Sequence, residues 1–239
     1  MKPAWPPRWW SATEQRQARL WRAVEAQHLV ATMRLADTAA EQEMLERMLE
    51  RSKPELPVDL QRQHYLVFTP FRYISRNPSR FREAAHSGVW YGAERVATAL
   101  AEVGYWRWRF LRDTDAFVSD ALTVQFTVFQ AKVDGRCVDL TSPPWSSKKR
   151  LWMDTSDYTA CHALARACPQ HDVAWIRYHS VRDPEAGSCG AVLRPSALSV
   201  GHHFRQETWA ARLTRSSATF SDGRQQLEFQ ASRWISTPP

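Results

Sequence analysis

The sequence has little of what common phosphate loops, metal sites and membrane spans require. Only eight of its 239 residues are Gly, and neither GxGxxG nor GxxxxGK followed by Ser or Thr occurs, which excludes the standard glycine-rich phosphate-binding loops. No apolar run approaches the ~20 residues of a membrane-spanning helix, and the first ten residues contain no signal-peptide core. The cysteines form no CxxC pair and match no zinc spacing; they are Cys137, Cys161, Cys168 and Cys189. We therefore expect a cytoplasmic protein with reduced thiols, no bound metal and no membrane contact.

The chain is also short of lysine and asparagine. Five Lys and a single Asn accompany 27 Arg, and the 32 basic residues outnumber the 25 acidic ones, so the net charge is +7. The arginines are spread along the chain, and most of this charge is expected on the solvated surface. Twelve Trp and the basic, aromatic stretch at residues 105–110 support one alternative hypothesis, a basic, Trp-rich nucleic-acid-binding protein without catalytic activity. On a helix, however, most of these rings would belong to the core.

The first 60 residues have the pattern of a helical N-terminal arm. Ser11, followed three residues later by Glu14, is a capping-box pattern, and apolar residues then recur at helical spacing. They are Leu20, Trp21, Val24, Val30 and Met33 in a first stretch, and Ala40, Met44, Leu45, Met48 and Leu49 in a second. A Pro-containing linker at residues 53–57 separates this arm from residues 61–239. The Met- and Leu-rich face of the arm is expected to pack, either as a dimer contact or as a lid on the main core.

Residues 61–239 mix strand and helix patterns without the regular alternation of a doubly wound sheet, which predicts an α+β fold. The apolar runs at residues 65–68 and 88–91 suit buried strands, and residues 96–110 carry one apolar helical face. The other predicted elements are a strand at 124–128, a helix at 161–168, strands at 173–176 and 191–193, and short C-terminal strands joined by a turn at 221–224.

Two segments contain a set of short motifs in a specific order. The first has SRF at residues 79–81, GVWYGAE at 88–94 and TALAE at 98–102, and the second has YHSVR at 178–182 ahead of an apolar run. Together these motifs resemble the RES domain, the toxin half of a bacterial toxin–antitoxin family. The resemblance covers roughly residues 64–195. It matches the motif positions of the family with Arg80, Tyr91, Glu102 and Ser180, and with Arg72 as an earlier arginine.

The resemblance implies a fold similar to that of ADP-ribosyltransferase toxins, with residues 61–239 as the catalytic domain. It implies NAD as the substrate and cleavage of the bond between nicotinamide and ribose. The ADP-ribosyl group then passes to phosphate, to water or to a protein, and the acceptor stays open. It also implies a cognate Xre-like antitoxin as the partner and assembly in multimers, with the question of a homo-oligomer left open.

The residue types at these positions suit this chemistry. Arg72 and Arg80 suit the pyrophosphate, because a guanidinium group binds phosphate through two parallel N–H bonds and stays charged at any working pH. Glu102 suits the oxocarbenium-like ribose that forms as nicotinamide leaves. Tyr91 offers a ring that stacks on nicotinamide, and Ser180 offers a hydroxyl that contacts phosphate or ribose or holds a neighbouring arginine.

Two alternatives remain at this point. Glu94 directly follows the predicted strand that contains Tyr91, and it competes with Glu102 for the role of the catalytic carboxylate. The long segment between Glu102 and Ser180, which includes residues 135–155, is expected either to cap the site or to change the acceptor.

Overall fold

The computed structural model describes residues 5–26, 36–55, 60, 63–86, 88–114, 121–201 and 203–235. These residues form a nine-stranded sheet and seven α-helices, and the predicted α+β class is confirmed. The strands are β1 Glu14–Glu25, β2 Trp90–Ala93, β3 Ala121–Asp139, β4 Trp175–His179, β5 Ser188–Val192, β6 Leu198–Ser199, β7 Gln206–Thr214, β8 Ser217–Ser221 and β9 Gln226–Gln230. The helices are α1 Pro7–Trp10, α2 Ala39–Ser52, α3 Tyr65–Arg72, α4 Val96–Arg112, α5 Lys149–Trp152, α6 Thr159–Ala167 and α7 Ala231–Ile235. Short 3₁₀ turns lie at Trp145–Lys148, Cys168–His171 and Pro195–Ala197.

The long strand β3 organises the sheet because it pairs along both edges. On one edge it runs antiparallel to all twelve residues of β1. On the other edge, residues 121–129 pair with β7, residues 132–133 pair with β6, and residues 137–139 pair in parallel with β4. The pairs β1–β2, β2–β5 and β5–β4 then close a circuit of five strands that includes β3. Strands β7, β8 and β9 extend this circuit as an antiparallel meander.

Helix α4 packs one face against this sheet. Gly104 allows the close approach, because a Cβ at that position would lie 3.1 Å from the Phe220 ring of β8. The aromatic rings of the 105–110 stretch divide between two faces of the helix. Tyr105 and Trp108 are buried, whereas Trp106 and Phe110 are exposed. The helix therefore contributes both core rings and surface rings.

The helix predicted around Leu20, Trp21 and Val24 is wrong, because these residues lie in strand β1. Both faces of this strand are covered: Leu20 belongs to one buried apolar cluster and its neighbour Trp21 belongs to another. Burial of consecutive residues removes the alternation that identifies a half-buried strand, and the remaining spacing imitates a helix. Residues 14–25 are thus part of the sheet, and the helical N-terminal arm does not include them.

The second predicted helix of the arm is confirmed as α2. A capping box begins it: the Glu41 backbone N–H donates to Thr38 Oγ1 at 3.2 Å, and the Thr38 backbone N–H donates to Glu41 Oε2 at 3.1 Å. Among the other features predicted for the arm, Val30, Met33 and the last two linker residues lie outside the described residues.

The strand predicted at residues 65–68 is also wrong, because α3 begins at Tyr65. His64 caps this helix, with Nδ1 accepting from the Leu66 backbone N–H at 3.3 Å. Only Leu66 and Val67 of the apolar run are buried, and Tyr65 is exposed. A run of four apolar residues does not distinguish a buried strand from the inner face of a short helix.

The remaining predicted elements are confirmed with shifted ends. They are strands β2, β3, β4 and β5, helices α4 and α6, and the turn between β8 and β9, where Gly223 adopts a positive φ of 86°. None of the described helices is long and apolar enough to cross a bilayer.

Candidate active site

A cavity of about 220 Å³ lies where β1, β2, β4 and β5 meet the first half of α4. Its lining combines aromatic and small apolar side chains with charged ones. The lining residues are Trp21, Arg22, Ala23, Ser79, Arg80, Tyr91, Gly92, Ala93, Ala99, Glu102, Val103, Trp106, Tyr158, Tyr178, Arg182 and Cys189. Three guanidinium groups and one carboxyl group of the described residues therefore meet in a small enclosure.

Glu102 projects from α4, and a neighbouring serine fixes its carboxyl group. Ser180 Oγ donates to Glu102 Oε1 at 2.6 Å. Ser180 is itself buried, and its Oγ accepts from the backbone N–H groups of Arg182 at 3.0 Å and Asp183 at 2.9 Å. Because these two donors occupy the lone pairs of the hydroxyl oxygen, the hydroxyl hydrogen is directed at the carboxyl group. The pair joins α4 to the loop that follows β4.

A second contact ties the same loop to the same helix. Thr98, one turn before Glu102, is fully buried and donates to Asp183 Oδ2 at 2.7 Å, and Arg95 Nη2 donates to the same oxygen at 3.0 Å. Burial opposes the ionisation of Asp183, but the Thr98 bond, two backbone N–H bonds and Arg95 outweigh it. The pKa of Asp183 therefore lies below its ordinary value of 3.8. This charged anchor holds the serine loop at a fixed place beside Glu102.

Tyr91 holds the turn that contains Arg80. Its hydroxyl oxygen lies 2.8 Å from Ser79 Oγ and accepts from the Phe81 backbone N–H at 3.0 Å. Burial raises the pKa of Tyr91 to about 12, so the hydroxyl is neutral at physiological pH. Besides offering a ring, Tyr91 thus fixes the residues on both sides of Arg80.

Arg80 is only 8% exposed and contacts the end of the 135–155 segment. Its Nη1 donates to the backbone carbonyl oxygens of Trp152 at 2.7 Å and Asp154 at 2.9 Å. Its guanidinium carbon lies 4.8 Å from the centre of the Tyr158 ring. This segment, which the sequence singled out by its length, therefore forms part of the wall around Arg80.

Arg182 lines the cavity although it was not among the predicted site residues. Its guanidinium carbon lies 3.6 Å from the centre of the Tyr105 ring, and its Nη2 donates to the Thr155 carbonyl oxygen at 2.8 Å. Arg182 ends the same short motif that contains Ser180, so the motif itself carried the signal that would have identified it.

Arg22 of strand β1 is a second arginine that the sequence reasoning missed. Its Nη1 donates to the Tyr91 backbone carbonyl oxygen at 2.9 Å, and its buried Nε has no hydrogen-bond partner among the described residues. Burial lowers the pKa of Arg22 to about 10, which leaves the side chain charged at neutral pH. Arg22 was missed because residues 14–25 were predicted to be a helix, whereas they form a strand of the sheet that lines the cavity.

Rings and a thiol complete the lining. Trp106 is 42% exposed and lies on the solvent side of α4. Burial raises the pKa of Tyr178 and the pKa of Cys189 well above their ordinary values, so both groups stay protonated. The cavity therefore offers neither a phenolate nor a thiolate nucleophile from these two residues. In the described part of the chain, no group of three or more His, Cys, Asp or Glu side chains is placed to hold a metal.

Two of the candidates from the sequence lie apart from the cavity. Arg72, at the end of α3, donates from Nε to the Pro54 carbonyl oxygen at 2.7 Å. Glu94 forms an ion pair with Arg177, whose Nε and Nη2 donate to its two carboxylate oxygens at 2.7 and 3.1 Å. The structure thus brings together four of the predicted site residues: Arg80, Tyr91 and Glu102 in the lining, with Ser180 behind Glu102.

Comparisons with known proteins give a matching family model and a similar solved structure. A protein-family model described as the RES domain matches residues 56–214, which is more than half of the chain. No curated protein sequence matches. Among solved structures, the chain is similar to one from the crystal structure of the M. tuberculosis MbcT–MbcA toxin–antitoxin complex. That similarity has a TM-score of 0.48 and 14% sequence identity over 87% of this chain and 91% of the other.

Proposed function

Because this chain belongs to the RES domain family, we propose that it is an enzyme that degrades NAD by cleaving the bond between nicotinamide and ribose. We assign it the role of the toxin in a bacterial toxin–antitoxin system. The observation that supports this proposal most strongly is the Ser180–Glu102 hydrogen bond beside a cavity lined by Arg22, Arg80 and Arg182.

The three arginines suit the pyrophosphate of NAD. The Nη1 of Arg80 is bonded to backbone carbonyl groups, so we assign the phosphate to the edge formed by Nε and Nη2, which binds two oxygens at once. Arg22 and Arg182 supply further positive charge, and this compensates for moving a dianion into a partly apolar enclosure.

The size of the cavity indicates which end of NAD it takes. At about 220 Å³ it is smaller than the ~300–1,000 Å³ of sites that enclose a whole ligand. We therefore assign it to the half of NAD that runs from nicotinamide to the pyrophosphate, with the adenosine outside. The Tyr91 and Trp106 rings line the space next to Glu102 and are our candidates for stacking on nicotinamide.

Glu102 is the group to which we assign the chemistry. When the nicotinamide–ribose bond breaks, its electron pair leaves with the ring nitrogen, which becomes neutral, and the ribose gains oxocarbenium character. A carboxylate held at that position stabilises the developing positive charge. An acceptor oxygen then bonds to the ribose carbon; water or a protein hydroxyl loses a proton in this step, whereas a phosphate dianion does not.

Ser180 positions Glu102 and does not attack the substrate. A serine nucleophile attacks with a lone pair of its oxygen, but the Ser180 oxygen already accepts two backbone N–H bonds. Its role in the proposal is to hold the carboxyl group of Glu102 in one orientation before the substrate binds.

The proposed partner is a cognate Xre-like antitoxin, and the proposed compartment is the cytoplasm, where NAD is available. Both follow from the family and not from a contact in the structure. The gene next to the one for this chain offers a simple check: we expect it to encode the antitoxin. We also expect expression of this chain alone to inhibit growth and co-expression with that neighbour to restore it.

The direct test is release of nicotinamide from NAD by the purified chain, measured with and without phosphate. We expect release in at least one of the two conditions. ADP-ribose as the product would identify water as the acceptor, and phosphorylated ADP-ribose would identify phosphate. Release in neither condition, from a folded sample free of antitoxin, would contradict the proposal. A gel-retardation assay tests the nucleic-acid alternative, which requires binding that weakens steeply as salt rises.

A further inference from the structure

The segment that joins α5 to α6 holds two of the three arginines of the cavity, and we call its residues 152–158 the arginine loop. Backbone carbonyl oxygens of this loop accept two hydrogen bonds from Arg80, at 2.7 and 2.9 Å, and one from Arg182, at 2.8 Å. The accepting residues are Trp152, Asp154 and Thr155. Because these carbonyl oxygens are uncharged, they fix the direction of each guanidinium group and leave its positive charge available for an anion.

The side chain of Trp152 anchors one end of the arginine loop. It is only 2% exposed, and its Nε1 donates to the Trp145 carbonyl oxygen at 2.8 Å. Trp152 also carries one of the two carbonyl groups that accept from Arg80. A displacement of the Trp152 ring therefore displaces an acceptor of Arg80.

Three tryptophans from the start of the chain pack on this anchor. The pairs in contact are Trp5 with Trp152, 4.9 Å apart between ring centres, Trp9 with Trp145 at 5.2 Å, and Trp10 with Trp145 at 5.1 Å. Such separations are typical of aromatic rings in contact. Residues 5–10 lie outside residues 56–214, which match the RES domain, so the family match does not account for this packing.

We propose that Trp152 is a positioning residue for Arg80 and Arg182, and that residues 5–10 brace it. The start of the chain then helps to set the affinity for the pyrophosphate of NAD. The inference rests on the proposed function, because it takes the cavity to be the NAD site.

The physical reason is preorganisation of the two arginines. A guanidinium group binds two phosphate oxygens at once only in one orientation. An arginine side chain that is already held in that orientation loses less conformational freedom when the substrate binds. Within the described residues, no hydrogen bond joins the arginine loop to Glu102 or Ser180, so we expect the loop to affect binding and to leave the chemical step unchanged.

Initial rates of nicotinamide release by the full chain, over a range of NAD concentrations, test the proposal. Trp152→Phe keeps an aromatic ring but removes the Nε1 donor. It should raise KM about 2- to 10-fold, the factor that corresponds to the loss of one hydrogen bond, while kcat stays close to that of the wild type. Trp5→Ala, which removes a half-buried ring that packs on Trp152, should also raise KM.

Trp209→Phe is the matched control. Trp209 is also fully buried, and its Nε1 donates to Glu207 Oε2 at 3.0 Å, but it lies in β7 and does not line the cavity. This variant should leave KM unchanged.

Binding measurements separate positioning of the arginines from a general loosening of the cavity. ADP-ribose carries the pyrophosphate, so its Kd, measured by titration calorimetry, should rise in Trp152→Phe by the same factor as KM. Nicotinamide carries no phosphate, so its inhibition of the reaction should be the same in the variant and the wild type. Equal weakening of ADP-ribose and nicotinamide would show a purely structural role and overturn the proposal.

The outcomes also distinguish this inference from the proposed function. Unchanged KM in both Trp152→Phe and Trp5→Ala, with an active wild type, would overturn the inference and leave the proposed function intact. A wild type that neither releases nicotinamide nor binds ADP-ribose would contradict the proposed function, and the inference with it. If thermal unfolding shows that Trp152→Phe is not folded at the assay temperature, Trp5→Ala decides, because its ring lies at the edge of the cluster.

Discussion

Replacement of Ser180 by alanine tests how much the fixed orientation of Glu102 contributes to catalysis. The substitution removes a 2.6 Å bond to the Glu102 carboxyl group. Hydrogen bonds to a charged group contribute roughly 1.5–3 kcal/mol, and a tenfold change in rate corresponds to about 1.4 kcal/mol. We therefore expect kcat for nicotinamide release to fall about 10- to 100-fold. KM should change little, because the carboxylate acts on charge that develops only in the transition state.

The same substitution also has a structural effect that must be separated from catalysis. Alanine leaves the backbone N–H groups of Arg182 and Asp183 without their acceptor, which costs roughly 1–3 kcal/mol for each buried donor. Rates should be measured well below the melting temperature of the variant. Ser188→Ala is the matched control. The Oγ of Ser188 also contacts a charged group, because it accepts from Arg177 Nη2 at 2.7 Å, but Ser188 does not line the cavity. Unchanged kcat in a folded Ser180→Ala variant would refute this account of Glu102.

Three further predictions concern the arginines and the serine loop. Arg80→Lys should raise KM for NAD about tenfold or more, because an ammonium group does not bind two phosphate oxygens in parallel; initial rates over a range of NAD concentrations measure this. Arg22→Lys should also raise KM, and an unchanged KM would remove Arg22 from the binding site. In the folded protein the pKa of Asp183 lies below its ordinary value of 3.8. The ionised carboxylate therefore stabilises the fold above pH 3.8, and this contribution is lost as the pH falls through the pKa of the folded state. In urea unfolding between about pH 6 and pH 3, the wild type should thus lose more stability than Asp183→Asn, and equal losses would contradict the proposed anchor.

The α+β class and most elements of the second half of the chain were predictable from the sequence. The prediction was wrong for a strand that is buried on both faces and for a short helix with few buried residues. Strand β1 packs on both faces, so its apolar residues do not alternate, and only its pairing with the distant strand β3 reveals it. Helix α3 presents only two buried residues, too few for a period to be visible. Helix α2 was predicted from the helical spacing of its apolar residues, which is a local signal.

Site residues that belong to a short sequence motif were predictable. A residue that reaches the cavity only through the pairing of distant strands was not. Arg80, Tyr91, Glu102 and Ser180 come together as the order of the motifs predicted. Arg22 reaches the cavity only because β1 pairs with β2 and β3, a contact between distant segments that no local pattern encodes. The Tyr91 hydroxyl forms hydrogen bonds with Ser79 and Phe81, on either side of Arg80. The spacing of these residues in the sequence does not predict the two bonds.

We assign the cleavage of NAD to Glu102 and not to another carboxylate near the motifs. The most direct measurement compares nicotinamide release by Glu102→Gln and Glu94→Gln, since each variant exchanges one carboxylate for an amide of the same shape. We expect Glu102→Gln to lose nearly all nicotinamide release. Glu94→Gln should keep it, because the ion pair of Glu94 with Arg177 lies outside the cavity lining. Loss of release in Glu94→Gln with full activity in Glu102→Gln would contradict this assignment.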